Sequence, residues 1–327
     1  IDDEMVALVD TVDICYFEVY LRKIKQVIGE RPINYLIINH MEPDHSGSIR
    51  LIKQHYPGII IVGNKQTFGM IEGFYGVTGE QYLVKEGDFL ALGHHKLRFY
   101  MTPMVHWPET MMTFDETDGV LFSGDGFGCF GTVDGGFLDT RINVDKYWGE
   151  MVRYYSNIVG KYGSPVQKAL QKLGGLPISA ICSTHGPVWT ENIAKVIGIY
   201  DRLSRYDADE GVVIAYGSMY GNTEQMAEAI AEELSAQGVK NIVMHNVTKS
   251  HPSYIIADIF RYKGLIIGSP TYSNQIFPEV EALLSKILLR EVKGRYLGYF
   301  GSFTWAGAAV KRLAEFALYV FLTYRHD

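Results

Sequence analysis

The sequence predicts an α/β protein of two domains in series, and three observations carry this. The chain has 327 residues, beyond the roughly 250–300 at which a single hydrophobic core stops growing. Short apolar, strand-like runs alternate with helical stretches along its whole length. The character of the alternation also changes near residue 211: His- and Asp-bearing loops interrupt it before that point, and a regular strand–helix–strand rhythm follows. That rhythm calls for a parallel sheet with helices on both faces.

In chain order, residues 35–39 and 58–62 read as buried strands, and 96–100 alternates polar and apolar as a half-buried strand does. Residues 119–123 and 178–182 are two further strands, and an apolar run at 101–105 precedes His106. Helical periodicity covers 143–162 and 192–206. Leu92-Gly93-His94-His95-Lys96 reads as a hairpin turn with both histidines exposed. The polar, Gly-ended stretch 205–211 reads as a linker, which places one domain at 1–205 and the other at 211–327. Beyond it come a strand at 212–216, a helix from Thr223 to about Gln237, strands at 242–247 and 264–268, a helix from Phe277 and a strand at 296–300.

Composition excludes several classes. With 47% hydrophobic and 20% charged residues the chain is globular, and it has no run of about 18 apolar residues that would span a membrane. Residues 1–6 lack the basic and apolar parts of a secretory leader. A net charge of −7 speaks against nucleic acid as the main partner, because phosphate binding needs a basic face. Cys15, Cys129 and Cys182 are odd in number and far apart, so neither a disulfide framework nor a paired-cysteine metal centre is expected. They read as buried small hydrophobes in a reduced, cytoplasmic protein.

Residues that carry chemistry gather at strand ends. The strand at 35–39 runs straight into His40-Met41-Glu42-Pro43-Asp44-His45, four possible metal ligands within six residues. His106, Asp125 and His185 each follow another strand-like run. Singly, a loop His or Asp is far more often solvated than ligating. Seven such groups on one rim of a sheet can converge, and as purely structural residues they would leave charges without partners. Trp107, Phe127 and Phe130 either wall such a pocket or simply fill the core.

The pattern H-x-E-x-D-H, then H, D and H, with 60, 18 and 59 residues between successive members after His45, resembles the metallo-β-lactamase superfamily and its flavodiiron branch in particular. Hydrolytic branches place a histidine where this chain has Glu42. The change gives four imidazoles and three carboxylates, a harder donor set suited to iron, whereas the His-rich version suits zinc. The resemblance implies an αββα sandwich with one iron at His40, Glu42 and His106, a second at Asp44, His45 and His185, and Asp125 bridging them.

In the second domain, Tyr216-Gly217-Ser218-Met219-Tyr220-Gly221-Asn222-Thr223 joins a strand to an amphipathic helix. Backbone N–H groups and the helix dipole favour a phosphate there. Ser218, Asn222 and Thr223 can add side-chain hydrogen bonds, and Gly221 permits close approach. Neither Gly-Lys-Ser/Thr nor GxGxxG is present. Gly268-Ser269-Pro270-Thr271-Tyr272-Ser273-Asn274 and Gly301-Ser302-Phe303-Thr304-Trp305-Ala306-Gly307 follow the third and fourth strands. This resembles flavodoxin, in which loops after the first, third and fourth strands surround one FMN where the strand order reverses. The resemblance implies a doubly wound parallel sheet whose FMN touches Ser218, Met219, Tyr220, Gly221, Asn222, Thr223, Pro270, Thr271, Tyr272, Ser273, Asn274, Ser302, Phe303, Thr304, Trp305 and Gly307. Tyr272 and Trp305 would lie against the isoalloxazine. By the same resemblance the chain begins at the family's second strand region, and residues 318–327 form a fifth strand with no fifth helix after it.

Together the resemblances imply an oxidoreductase with FMN and two iron ions. FMN takes electrons from a separate donor, such as rubredoxin or a flavin reductase, and the irons reduce dioxygen to water or nitric oxide to nitrous oxide. The implied assembly is a head-to-tail homodimer or a dimer of dimers. Two other readings stand beside it. A zinc hydrolase of the same superfamily with a regulatory flavodoxin domain is disfavoured by Glu42. An electron-carrier flavoprotein with a merely structural metal domain is disfavoured by seven intact ligands.

Overall fold

The computed structural model describes residues 1–323. The chain divides into two compact units, residues 1–145 with 164–197, and residues 146–163 with 198 onward.

In the first unit four parallel strands make one sheet, in the order β1 (Ala7–Val9), β2 (Tyr35–Ile37), β3 (Ile60–Gly63) and β4 (Gln81–Leu83). A second sheet runs β5 (Phe89–Ala91), β6 (Lys96–Met101), β7 (Met111–Asp115), β8 (Val120–Gly124) and β9 (Ala180–Ser183), antiparallel except for the β8–β9 pair. Successive side chains of a strand point to opposite faces, and β2 uses both. Leu36 packs with Phe17, Leu21 and Ile24 of α1 (Phe17–Ile28). The same core takes residues from α3 (Ile49–His55) and α4 (Lys65–Tyr75), while α2 (Pro43–Ser46) is a single turn on the rim. Ile37 instead packs with Leu97 and Phe99 of the facing sheet. Burial on both faces explains the unbroken apolar runs of β2 and β3.

This architecture brings the expected ligands to one rim. His40, Asp125 and His185 follow the C-terminal ends of β2, β8 and β9. The expected run at 101–105 is not strand beyond Met101. Pro103 has no N–H to give a ladder, and Val105 N and Met104 N bond locally to Thr102 and Trp107 carbonyls. His106 therefore sits in a loop between β6 and β7. Two smaller expectations also change. His95 is in the turn but is half-buried, with Nδ1 2.7 Å from Asp115 Oδ2. Cys15 is exposed, whereas Cys129 is buried and Cys182 intermediate.

The second unit holds a parallel sheet in the order β11 (Ile242–Asn246), β10 (Asp209–Tyr216), β12 (Tyr262–Tyr272) and β14 (Tyr296–Ser302), with β13 (Gln275–Ile276) antiparallel to the end of β12. Ile214 and Tyr216 face α8 (Asn222–Ala236) and pack with Ala227. The remaining helices of the sheet are α9 (Pro252–Arg261), α10 (Pro278–Arg290) and α11 (Ala308–Thr323). The expected fifth strand is overturned over 318–323, which is the end of α11, and residues 324–327 lie outside the described residues. Ala308, Ala309, Ala314 and Ala317 favour helix enough to carry the β-prone residues after them along. Of the stretch 205–211 only 205–208 is irregular: α7 (Ile193–Ser204) ends at Ser204, and β10 starts at Asp209, which pairs with Tyr262, while the change of unit falls near residue 197, within α7. No described helix is long and apolar enough to cross a membrane.

Helix α5 (Asp145–Tyr154) runs into a π-helical turn at Tyr155–Val159, before α6 (Gly163–Leu173) returns to the first unit. Tyr155 is fully buried, 5.1 Å from the Tyr200 ring and 6.3 Å from Phe260. Asn157 Nδ2 donates to Ser253 O at 3.0 Å, and Arg290 donates to Asn157 O at 3.2 Å. Tyr155→Ala is expected to cost about 3–5 kcal/mol, the usual loss for a buried aromatic cut to alanine. Urea unfolding of wild type and variant measures it.

Candidate metal centre and flavin site

The structure brings all seven expected metal-site residues together. Pro43 starts α2 at the first helical position, which its fixed φ suits. Glu42 is thereby left just outside the turn, with Asp44 and His45 within it. Asp125 divides the seven into two groups. Its Oδ2 lies 2.9 Å from His106 Nε2 and 3.8 Å from His40 Nε2, while its Oδ1 lies 2.9 Å from His45 Nε2 and 3.4 Å from His185 Nε2. Glu42 Oε2 completes the first group, 3.3 Å from His40 Nε2 and 3.2 Å from His106 Nε2. Asp44 Oδ2 completes the second, 3.4 Å from His45 Nε2 and 3.3 Å from His185 Nε2. Donors bound at about 2.1 Å lie about 3.0 Å apart on an octahedral edge and about 3.4 Å on a tetrahedral one. Most of these separations fall in that range. His45 Nε2, close to Asp125 Oδ1 and Asp44 Oδ2, makes no well-aligned hydrogen bond to either, a state that a cation among the three relieves.

The electrostatics agree. Burial alone would lower His40, yet its hydrogen bonds to Glu109 and Glu42 raise it to about 10. The same contest, won by Asp125 and Asp44, raises His185 to about 9. Hydrogen bonds from His106 and His40 hold Glu42 at about 2. Burial pushes Asp125 up, but His106, His185 and His45 hold it far below the usual carboxylate range. The cluster stabilises positive charge in a desolvated place, and protons compete with metal for the same nitrogens.

In the second unit the loops after β10, β12 and β14 enclose a cavity of about 510 Å³. Thirteen of the sixteen residues expected at the flavin line it, together with Ala306; Ser218, Gly221 and Gly307 are not among the lining residues. Gly221 has φ 88° and donates to Ser218 Oγ at 3.1 Å. Helix α8 has no side-chain cap, which leaves its first N–H groups for an anion. Thr223 Oγ1 and Ser302 Oγ, 2.8 Å apart, tie the first loop to the last. The lining includes no Lys, Arg, Asp or Glu, so a phosphate here is held by neutral donors. A larger cavity of about 640 Å³ beside β14 is apolar, and its Arg295 already donates to the carbonyls of Ile259, Phe260 and Tyr206. It lacks the converging polar groups of a cofactor site.

A family model described as "ODP family beta lactamase" matches residues 1–186, more than half of the chain, and one described as "Flavodoxin" matches residues 214–317. The flavodiiron protein of Giardia intestinalis superposes with a TM-score of 0.95 at 27% identity, over 100% of this chain and 80% of that one. The chain belongs to the flavodiiron family. The rubredoxin oxygen:oxidoreductase of Desulfovibrio gigas superposes with a TM-score of 0.94 at 30% identity, over 98% of this chain and 80% of that one. The anaerobic nitric oxide reductase flavorubredoxin of Vibrio vulnificus is 32% identical over 318 residues, which are 96% of this chain and 64% of that protein. The flavodiiron chain thus spans slightly under two thirds of that relative. Family and fold imply FMN and a diiron site as cofactors, and the two sites described above fit them.

Three buried carboxylates of this flavodiiron chain, passed over in the sequence reading, hold the ligand loops. Asp10 Oδ1 accepts from Asn39 N at 2.7 Å and His40 N at 3.3 Å, and burial raises its carboxyl to about 6. Glu109 Oε1 accepts from Met41 N at 2.9 Å. Asp139 accepts five hydrogen bonds of 2.6–3.1 Å from Thr190, Glu191 and Asn192, fixing the loop after His185 to the start of α7. Asp139→Ala is expected to cost about 3 kcal/mol by stranding those donors. Its pH dependence has a definite sign. Burial raises the Asp139 carboxyl, but the bonds from Thr190 and Asn192 lower it below its ordinary 3.8. Its contribution is therefore present above that value and is lost as pH falls through the folded one. The stability gap between wild type and Asp139→Asn, followed by urea unfolding, should be widest near neutrality and shrink below pH 3.8.

Proposed function

We propose that this flavodiiron chain reduces dioxygen, nitric oxide or both at two iron ions, with FMN relaying electrons from an external donor of the rubredoxin or flavin-reductase kind. The reading rests on Asp125, whose two oxygens face two separate donor groups. His40, Glu42 and His106 would hold one iron and Asp44, His45 and His185 the other, with Asp125 serving both. Relatives named for nitric oxide reduction and for oxygen reduction support both gases equally.

When bound, the two ferrous ions supply electrons to the gas and FMN replenishes them. The protein's own residues set the conditions. Asp125, 3% exposed, fixes the spacing of the two positions from below. Trp107 stands edge-on to His40 at 5.3 Å and keeps water from that flank. Asp44 and His185, 41% and 35% exposed, leave their donor group accessible to a small gas. Large exposed apolar side chains surround the flavin cavity, with Tyr220 at 87% and Trp305 at 86%. They favour cover by a second copy in a head-to-tail dimer or dimer of dimers. Widely spaced cysteines support a reducing, cytoplasmic setting.

The test is anaerobic loading with ferrous iron, chemical reduction and exposure to each gas in turn. Roughly two irons per chain and consumption of either gas are expected. Zinc retained from iron-rich medium, with hydrolase activity and no gas consumption, overturns the reading. Glu42→His should shift the metal content toward zinc and abolish gas reduction, because a harder carboxylate becomes an imidazole. Unchanged iron and turnover in that variant show that Glu42 is not a ligand.

A further inference from the structure

Glu109 lies three residues after His106, at the end of the same loop, and its side chain is fully buried. Its backbone carbonyl accepts from Asn64 Nδ2 at 2.6 Å, and Asn64 itself caps α4 just after β3. The residue is thus pinned to the corner of the first sheet. From there its carboxylate reaches the other ligand loop: Oε1 accepts from Met41 N at 2.9 Å and lies 2.9 Å from His40 Nδ1. Glu109 Oε2 is buried with no hydrogen-bond partner.

A carboxylate kept only for structure uses both oxygens, since burying an unpaired one is costly. Here one oxygen does all the bonding, and it bonds to the imidazole whose other nitrogen points at Glu42 Oε2 and Asp125 Oδ2. A carboxylate can only accept, so His40 Nδ1 carries the hydrogen and Nε2 presents its lone pair to the cluster. A carboxylate behind a ligating histidine fixes its tautomer, holds the ring and raises the basicity of the ligating nitrogen. The two donor groups also differ in exposure: His40, Glu42 and His106 are 2%, 37% and 10% exposed, against 41%, 4% and 35% for Asp44, His45 and His185.

We propose that Glu109 is the positioning residue of the His40–Glu42–His106 position and makes it the tighter of the two metal positions. This rests on the diiron reading above. Glu109 orders the His40 ring from a place that water does not reach, whereas Asp44 and His185 stand exposed, and their position exchanges its ion first.

The test is equilibrium binding of ferrous ion by the full chain, anaerobically, in competition with a chromophoric chelator. Wild type should bind two ferrous ions in two resolved steps. Glu109→Gln keeps the shape and removes the charge, and it should weaken the tighter step by about 10–100-fold while leaving the weaker one within about threefold. Asp44→Asn should weaken only the other step, and the double variant both. In zinc-loaded protein, the slowly exchanging His40 Nδ1–H proton resonance should be present in wild type and Asp44→Asn and lost or shifted in Glu109→Gln. If Glu109→Gln does not fold, Glu109→Asp, which draws the oxygen back from His40, should give the same selective loss. Wild-type affinities and an unchanged His40 resonance in the variant overturn the role of Glu109 and leave the diiron reading intact. A wild-type chain that does not take two ferrous ions overturns the diiron reading itself.

Discussion

Asp125→Ala is expected to remove both metal ions from the protein and to lower turnover more than the loss of any other single ligand. His40 and His106 face one of its oxygens, and His45 and His185 face the other. Deleting it takes a donor from both groups and leaves four crowded imidazoles without their central carboxylate. By contrast, His185→Ala touches only the more exposed group and should leave one ion in place. The loss for Asp125→Ala should exceed the roughly 10–100-fold typical of changes just behind a metal ligand. Metal content after anaerobic loading, measured with turnover, decides it. A variant that keeps two irons and near-normal activity removes Asp125 from the bridging role.

Mixing two inactive chains should restore activity. One chain carries Asp125→Ala; the other carries Ser218→Asp and Asn222→Asp, which put negative charge where the phosphate would sit. The case for a shared site rests on exposed apolar surface at both cofactor positions. Around the flavin cavity Tyr220, Phe303 and Trp305 are exposed. Beside the ligand loop Ile14 and Tyr16 are exposed, and Ile14 N lies 3.2 Å from where a Cβ on Gly47 would stand. A two-fold partner would cover both patches with one self-complementary interface used twice. Random mixing makes half of the dimers mixed, each with one working flavin–iron pair, so about a quarter of wild-type activity should return. Mixed dimers that verifiably form and stay inactive, while wild-type monomers turn over, place the transfer within one chain.

Six of the seven residues that the structure gathers were legible from local context, His40, Glu42, Asp44 and His45 on one short loop and Asp125 and His185 just past strands, whereas the run before His106 is not a strand and only the spacing pattern marked that residue. Asp10, Glu109 and Asp139 were not legible, because their roles exist only across long separations. Nothing near Glu109 indicates that Met41 and His40 lie against it, nor near Asp139 that residues 190–192 do. Helix α9 went unread for another reason. Ile255, Ile256, Ile259 and Phe260 recur at helical spacing and are all buried, but the helix is only ten residues long and runs directly into β12, so no loop separates the two periods. Residues 318–323 were misread because β-branched and aromatic side chains argue for strand only as a weak, context-dependent preference. No local signal tells a helix which core it will join, and residues 146–163 join the second unit from within the first stretch of chain.

That placement means that neither unit is built from one continuous stretch of chain. The chain passes from one to the other three times, at about residues 145, 163 and 197. A protease that cuts between Ser204 and Asp209 cuts inside the second unit and leaves all three passages intact. The N-terminal piece still contributes α5, its π turn and the end of α7 to the core it shares with Phe260. Clipped protein should therefore travel as one particle through a sizing column and separate into two pieces only in denaturant. A gene cut at the same place would yield a flavodoxin-like fragment missing part of its own interior, so the natural seam for engineering lies elsewhere than at the polar linker.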